Sequence, residues 1–146
     1  MARSEIKLDY KKARTLAMKM AMAGMTEATE YAVGEVKVML SKPGTGRLYR
    51  KRRASGGYIF HRASSPGQPP AVDTGALRSS IDKRIEAKGL EVYGYIGTKL
   101  EYALTLEVGG RYVAARPYLR PVLRGQARQI DEAFVKGARR AERRFR

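Results

Sequence analysis

The sequence predicts an α+β fold: a long N-terminal helix, a small antiparallel β-sheet with an extended basic loop or β-arm, and a C-terminal helix. Residues 5–40 contain no proline and repeat apolar side chains at helical spacing. Residues 77–96 alternate at period two, as the strands of a half-buried sheet do. Residues 117–146 return to helical spacing. The order helix, strands, helix is typical of the α+β class.

The length and composition bound the organisation of the chain. With 146 residues, of which 43% are hydrophobic, it can form one domain with a modest core. Its predicted parts are an N-terminal helix, a basic arm with a hinge, a sheet with a short helix, and a C-terminal helix. These parts span residues 1–40, 41–75, 76–115 and 116–146, respectively.

The first helix has a clear start and an unusual length. Ser4 is a good N-cap, and Glu5 suits the first turn. A straight helix from there to Leu40 would be roughly 55 Å long, whereas a domain of this size is about 30 Å wide. We therefore expect the helix to break near Gly24 or Gly34, or to project and pack against another chain. Its apolar positions are Ile6, Tyr10, Ala13, Leu16 or Ala17, Met20 and Ala23, then, after a shift, Ala28, Ala32, Val36 and Met39.

The formal net charge of +16 is unevenly distributed. Residues 41–70 carry seven basic side chains and no acidic one, and residues 120–146 carry nine basic and three acidic. Residues 1–40 and 71–119 are close to balance. Two basic regions on a nearly neutral body suit a polyanion or an acidic protein partner.

The first basic region, residues 44–70, reads as a long loop or β-arm. Tyr58-Ile59-Phe60 is predicted to be one strand of a hairpin, with Leu48 and Tyr49 on the other strand. Aromatic side chains interleaved with arginines can hold phosphates and stack on bases, and the same mixture suits a protein partner. The candidate contact residues for DNA or a partner are Arg47, Arg50, Lys51, Arg52, Arg53 and Arg62.

The sheet is predicted from two alternating runs. The first runs from Leu77 to Ile85 and the second from Leu90 to Ile96, with a tight turn at Lys88-Gly89, so they should form an antiparallel hairpin. The spacing of Leu77, Ile81 and Ile85 fits a helical turn equally well. Residues 101–108 read as a short helix that ends at Gly109-Gly110, with Tyr102, Leu104 and Leu106 partly buried. Residues 111–113 are a candidate third strand.

The last helix is expected to begin at Pro117, which suits a first turn, and to run without interruption towards Arg146. Its apolar stripe comprises Leu119, Leu123, Ala127, Ile130, Phe134, Ala138 and Ala141. Arg120, Arg124 and Arg128 form a basic stripe on an adjoining face.

A proline- and glycine-rich hinge lies between the arm and the sheet. Pro66-Gly67 is a turn signal, Pro69-Pro70 favours stiff extended chain, and Asp73 and Thr74 are good N-caps for the segment that follows. Gly75 is expected to need backbone freedom. The hinge reads Ser-x-Pro-Gly-x-Pro-Pro-x-x-Asp-Thr-Gly-x-Leu-Arg-x-Ser-Ile over residues 64–81.

This hinge, together with a later Glu-x-Gly and Ala-Arg-Pro-Tyr-Leu-Arg-Pro, resembles the signature of a family of small head-to-tail joining, neck or tail-completion proteins of long-tailed bacteriophages. The resemblance covers residues 64–123. The family-motif residues, for which it implies a structural role, are Pro66, Gly67, Pro69, Pro70, Asp73, Thr74, Gly75, Leu77, Glu107, Gly109, Arg116, Pro117, Tyr118, Leu119 and Pro121.

The resemblance implies a non-enzymatic virion protein that forms a ring around the DNA channel. Its partners would be further copies of itself, the connector or head-closure protein above, and the tail terminator or tail-tube protein below. Non-specific contact with double-stranded DNA is possible in such a ring. Within the second motif, Tyr118 and Leu119 are expected to pack against the sheet, and Arg116 and Arg120 to face acidic groups such as Glu107 or a neighbouring subunit. The runner-up is a basic nucleic-acid-binding protein without sequence preference.

Other chemistry finds little support. There is no cysteine and a single histidine, His61, so no metal site is predicted, and no nucleotide-binding glycine motif points to a cofactor. No uncharged apolar run is long enough to span a membrane, and the charged start is unlike a signal peptide, so we expect a cytoplasmic product. Asp73-Thr74-Gly75 matches retroviral-type aspartic proteases, but Pro69-Pro70 stand where the preceding strand should be.

Overall fold

The computed structural model describes residues 9–145 and has the predicted α+β class. Helix α1 spans Tyr10–Met39, and its N-cap is Asp9, whose side chain accepts a hydrogen bond from the Lys12 N–H at 3.1 Å. The predicted N-cap Ser4 and the apolar Ile6 lie outside the described residues. The second predicted face is confirmed, because Ala28, Ala32 and Val36 are buried.

Helix α1 is continuous across both of its glycines, so the predicted break is wrong. Helix α5 (Ala127–Phe145) packs along it, and the two are antiparallel. A β-carbon on Gly24 would lie 2.8 Å from the Phe134 ring, and one on Gly137 would lie 2.5 Å from the Ala23 carbonyl oxygen. The two glycines thus allow close approach of α1 and α5, and packing of α1 against another chain stays a prediction.

Because α1 and α5 approach closely, replacing a glycine by alanine should change the stability differently at the helix contact and away from it. We expect Gly137→Ala to destabilise the protein by about 1–3 kcal/mol through overpacking, although alanine is the better helix former. Gly34→Ala is the matched control, since nothing lies within 4 Å of its β-carbon position. It should stabilise the protein by about 0.5–1 kcal/mol. Urea denaturation measures both, and a stabilising Gly137→Ala would contradict the packing described here.

The arm forms the predicted hairpin. Strand β1 (Leu48–Arg52) pairs antiparallel with β2 (Tyr58–Arg62), with Leu48 opposite Arg62 and Arg52 opposite Tyr58. Gly56 and Gly57 adopt positive φ values of 87° and 79° in the connecting turn. Such values are open to glycine at little steric cost.

The second hairpin is also confirmed, but its first strand starts later than predicted. Residues Ala76–Ser80 form a short helix, α2, and β3 begins only at Asp82. Gly75, at φ 79°, turns the chain into that helix, and the Ser80 hydroxyl bonds back to the Leu77 carbonyl at 2.8 Å. The spacing of Leu77, Ile81 and Ile85 was compatible with a strand or with a helical turn. The helical turn is confirmed up to Ser80, and the strand from Asp82 onwards.

Strand β3 (Asp82–Lys88) pairs with β4 (Glu91–Gly97) across a turn at Gly89 and Leu90. Leu90 lies outside the strand, and its side chain is 71% exposed. One face of this sheet lies on α1. A β-carbon on Gly94 would come within 2.5 Å of Thr29, so glycine lets the strand lie directly on the helix.

Helix α3 spans Tyr102–Val108 and ends at Gly109, which has φ 82°. The predicted burial of Tyr102 and Leu104 is wrong, since they are 48% and 69% exposed, and Ala103 and Glu107 are buried instead. The third strand is also wrong. Gly110 and Val113 bond to each other at 2.8 and 3.3 Å and close a turn, so residues 111–112 form its tip and pair with no sheet.

The predicted C-terminal helix is two helices. Helix α4 spans Leu119–Gly125, Gln126 interrupts the regular geometry with φ −111°, and α5 follows. The interruption shifts the helical phase, so Val122 is buried in α4 while the predicted Leu123 is 45% exposed. Pro117 precedes the N-cap Tyr118 rather than opening the helix, and Pro121 occupies the first turn, where no backbone N–H donor is required.

The core lies where the C-terminal end of α1 meets α4 and the start of β3. Its buried side chains are Val36, Leu40, Ile81, Tyr118 and Val122. Ile96 of β4 and Leu106 of α3 are partly buried against this cluster. Tyr118 was predicted to pack against the sheet; it is buried in this cluster, whose members lie on α1 and α4 and at the residues next to them, and the sheet contributes Ile96 to the periphery of the cluster.

Candidate partner and nucleic-acid interface

The two halves of the sequence signature meet in space. The Gly67 N–H donates to the Ala115 carbonyl at 2.9 Å, which joins the Pro-Gly turn of the hinge to the residue before Arg116. The Arg116 N–H in turn donates to the Leu106 carbonyl of α3 at 2.6 Å. Segments almost 50 positions apart in the chain thus form one backbone junction.

Glu107 organises the second half of this junction. The residue is 7% exposed, and its carboxylate accepts three backbone N–H bonds, from Tyr118 at 2.8 Å, Leu119 at 3.0 Å and Arg120 at 2.9 Å. These are the N-terminal donors of α4, which have no partner inside the helix. The buried negative charge also complements the positive end of the helix dipole. Glu107 therefore fixes α4 on α3.

The side chains of Arg116 and Arg120 were expected to face acidic groups such as Glu107 or a neighbouring subunit. The alternative with Glu107 is wrong, and the alternative with a neighbouring subunit stays a prediction. Within residues 9–145 neither arginine forms a salt bridge with Glu107, because its oxygens are taken by backbone donors. Arg120 is exposed, and Arg116 is half-buried. No local sequence signal would have found the cap, because Glu107 stands 11 positions before Tyr118 and only the fold brings its carboxylate to the start of α4.

Tyr118 is 1% exposed, and burial, with a smaller contribution from the Glu107 charge, raises its pKa to about 12. The unfolded chain releases this proton near pH 10, so the stabilisation is complete below that pH and is lost as the pH rises towards 12. We expect the wild-type protein to lose on the order of 2 kcal/mol more stability between pH 9 and pH 12 than Tyr118→Phe, which has no phenol to ionise. Urea denaturation at both pH values measures the difference, and parallel losses would refute this ionisation.

The hinge holds the arm to the body through Asp73. Asp73 was predicted to cap the next segment, but its carboxylate instead forms an ion pair with Lys51 of β1 and lies 3.9 Å from the His61 Nδ1 of β2. The hydrogen bond from Lys51 is the main cause that lowers the pKa of Asp73. Gly75 is the N-cap of α2, and the Thr74 hydroxyl accepts from the Ala76 N–H at 3.3 Å.

The same geometry bears on the protease match. Residues 63–75 contain no strand, so Asp73 does not follow the hydrophobic strand that such a site requires. Its carboxylate is engaged by Lys51 rather than placed to share a proton with a second aspartate.

The pairing register sorts the arm into two faces, because directly opposed residues of an antiparallel pair lie on the same side of the hairpin. The inner face contains Lys51 and His61, which meet Asp73. The outer face comprises Leu48, Arg50, Arg52, Tyr58, Phe60 and Arg62, all of them exposed. Three of the candidate arginines, Arg50, Arg52 and Arg62, thus lie on the face of the arm opposite to Lys51.

The outer face combines positive charge with apolar area. Tyr58 and Phe60 are 56% and 66% exposed, and the Arg50 guanidinium lies 4.3 Å from the centre of the Tyr58 ring. Arg47 and Arg53 flank the strands at the base and the tip. Sequence reasoning identified the basic residues but treated them as one set, whereas the alternation of the strands, combined with the pairing, separates them.

The base of the arm is tied to the hinge by polar contacts. The Thr45 hydroxyl donates to the Gln68 side-chain oxygen at 2.6 Å, and the Gly46 N–H donates to the Ala63 carbonyl at 2.8 Å. A β-carbon on Gly44 would lie 2.3 Å from the Arg62 carbonyl oxygen, so this glycine also allows close approach. The arm thus has a defined hairpin geometry on the body.

A second exposed surface lies on α3 and the turn after it. Tyr102, Leu104, Val108 and Tyr112 are between 46% and 85% exposed. Leu104 and Val108 are four positions apart and so lie on one side of α3, where exposed apolar side chains can contact a partner. Tyr102 and Leu104 were predicted to be partly buried, and this is wrong because helical spacing alone does not say which face of so short a helix is covered.

No group of side chains suited to hold a metal ion occurs within residues 9–145, and no helix in that range is long and apolar enough to cross a membrane. Comparison of the chain with protein-family models, curated proteins and solved structures yields no match.

Proposed function

We propose that this chain is a structural component of the joint between the head and the tail of a long-tailed bacteriophage, where copies of it form a ring around the DNA channel. The observation that carries the proposal is the Glu107 cap, which links the Glu-x-Gly and Arg-Pro-Tyr-Leu-Arg-Pro elements of the signature. Because the Glu107 cap joins the two elements into one structural unit, they are better explained as one signature than as two chance matches.

The surfaces support an assembled rather than an isolated role. The apolar patch on α3 would be covered by a neighbouring copy or by the connector, head-closure, tail-terminator or tail-tube protein. The outer face of the arm offers arginine, tyrosine and phenylalanine, which are enriched in protein interfaces. In this proposal the protein resides in the neck or tail end of the virion, and in the host cytoplasm during assembly.

Quantitative mass spectrometry of purified particles tests the proposal. A ring component should occur in a fixed small multiple per particle, and particles made without it should fall apart into separate heads and tails. A variable copy number, or its absence from particles that join normally, would contradict the structural role.

The outer face of the arm specifically favours a second candidate function, nucleic-acid binding without sequence preference. Arg50, Arg52 and Arg62 can contact phosphates, and Tyr58 and Phe60 offer exposed rings. Binding of this kind reads no bases and weakens steeply with salt.

The sorted faces give this candidate a matched test. We expect the double substitution Arg50→Ser, Arg52→Ser to weaken binding of a duplex oligonucleotide and to reduce the slope of log affinity against log salt by roughly 2, because two phosphate contacts are lost. Lys51→Ser removes one charge from the inner face and should leave the slope nearly unchanged. Fluorescence anisotropy at several salt concentrations measures both slopes. Equal effects of the inner and outer substitutions, per charge removed, would contradict the assignment.

A further inference from the structure

We propose that a cavity between the arm, the hinge and α3 binds an acidic side chain presented by a peptide segment of a partner protein. The cavity has a volume of about 280 Å³. That is at the lower limit for small-ligand sites, so it suits one or two side chains rather than a nucleotide. The inference concerns the isolated protein and does not depend on the proposed role at the head–tail joint.

The decisive observation is an unsatisfied hydrogen-bond donor on a cationic side chain. Arg116 lines the cavity, and its Nε is buried without a hydrogen-bond partner among the described residues. A buried donor without a partner destabilises the folded state, and more so when it belongs to a charged group. A carboxylate is the complementary partner of a guanidinium, since it can accept two of its hydrogen bonds side by side.

The charge of the surroundings also favours an anion. Arg78 lines the cavity and donates to the Ser41 hydroxyl at 3.1 Å, so it adds a second positive charge. Among the described residues Asp73 is the one carboxylate that lines the cavity. Lys51 compensates its charge through one oxygen, and the His61 Nδ1 lies 3.9 Å from the other oxygen. A further carboxylate would therefore meet net positive charge.

The rest of the lining is apolar and indicates how the group is presented. Leu40, Leu77, Leu106 and Val72 contribute apolar side chains, and Tyr102 stands half-exposed in the wall. Walls of this kind favour an acidic side chain with an apolar neighbour, and a freely hydrated anion such as phosphate would gain nothing from them. The combination is that of an acidic peptide segment.

The test uses two capped tripeptides, Leu-Glu-Leu and Leu-Gln-Leu, titrated into the full-length protein and followed by NMR through the Arg116 Nε–H resonance. We expect the glutamate peptide to shift this resonance saturably and to bind at least about tenfold more tightly than the glutamine peptide. Free isobutyrate should bind more weakly than the glutamate peptide. No saturable shift, or equal affinity for the two peptides, would overturn the proposal, and isobutyrate binding as tightly as the peptide would overturn the assignment to a peptide.

Two substitutions test whether Arg116 causes the difference in affinity between the two peptides. Arg116→Gln should reduce the difference between the two peptides to about twofold or less, whereas Arg62→Gln, on the outer face of the arm, removes the same charge and should keep the full difference. A difference that persists in Arg116→Gln would overturn the proposal. The resonance of the unsubstituted protein remains a complete test if that variant does not fold.

Discussion

Replacement of Tyr118 by alanine is expected to lower the free energy of unfolding by about 3–5 kcal/mol, the range for large aromatic truncations in a packed core. Tyr118 is 1% exposed and lies in the cluster formed by Val36, Leu40, Ile81 and Val122. The substitution leaves a cavity where α1, α4 and the start of β3 meet, so the whole core loses contacts at once. Because small domains are stable by only about 5–15 kcal/mol, this loss removes a large share of the total stability.

Urea denaturation measures this loss, and Tyr112→Ala is the matched control. Tyr112 is 85% exposed at the tip of the turn after α3, so its removal should change the stability by less than about 0.5 kcal/mol. A Tyr118→Ala variant as stable as Tyr112→Ala would refute the packing of the core.

Replacement of Glu107 by glutamine should destabilise the protein by about 2–4 kcal/mol, although the side chain keeps its shape. One carboxylate oxygen becomes an NH₂ group, which cannot accept a hydrogen bond, so at least one donor at the start of α4 stays buried and unpaired. The remaining bonds lose the strength that the negative charge gives them. The loss of charge also removes the complement to the helix dipole.

Hydrogen exchange localises this second effect. The amide protons of Tyr118, Leu119 and Arg120 should exchange faster in Glu107→Gln, while those in the middle of α1 should change only by the global loss of stability. Glu101→Gln is the control, because Glu101 is exposed and makes no side-chain cap bond, and it should cost less than about 1 kcal/mol. Unchanged exchange at all three amides would show that the cap does not hold α4.

These two residues explain why the second half of the signature has its particular composition. Glu107 accepts the hydrogen bonds of the first backbone N–H groups of α4. The prolines at positions 117 and 121 stand where no N–H donor is needed, and the Tyr118 side chain is buried in the core. The arm and the α3 patch then remain for partners. A stable junction with exposed surfaces on either side is compatible with a ring subunit, which is the role we propose.

The sequence by itself determined the features that depend on local chemistry. Helical spacing predicted α1, alternation and turn residues predicted both hairpins, and Gly109 was expected to end α3, as it does. These patterns can be read from the chain because backbone geometry sets the period of each element, and the steric freedom of glycine marks its ends.

Only the tertiary structure decided which faces meet. Gly24 and Gly137 look like weak points of helices, yet they are where α1 and α5 approach each other. Asp73 looks like a cap, yet it holds Lys51 of the arm. Glu107 looks like a partner for arginine side chains, yet it binds backbone donors. In each case the local pattern allows several partners, and the free energy of packing distant segments together selects one of them.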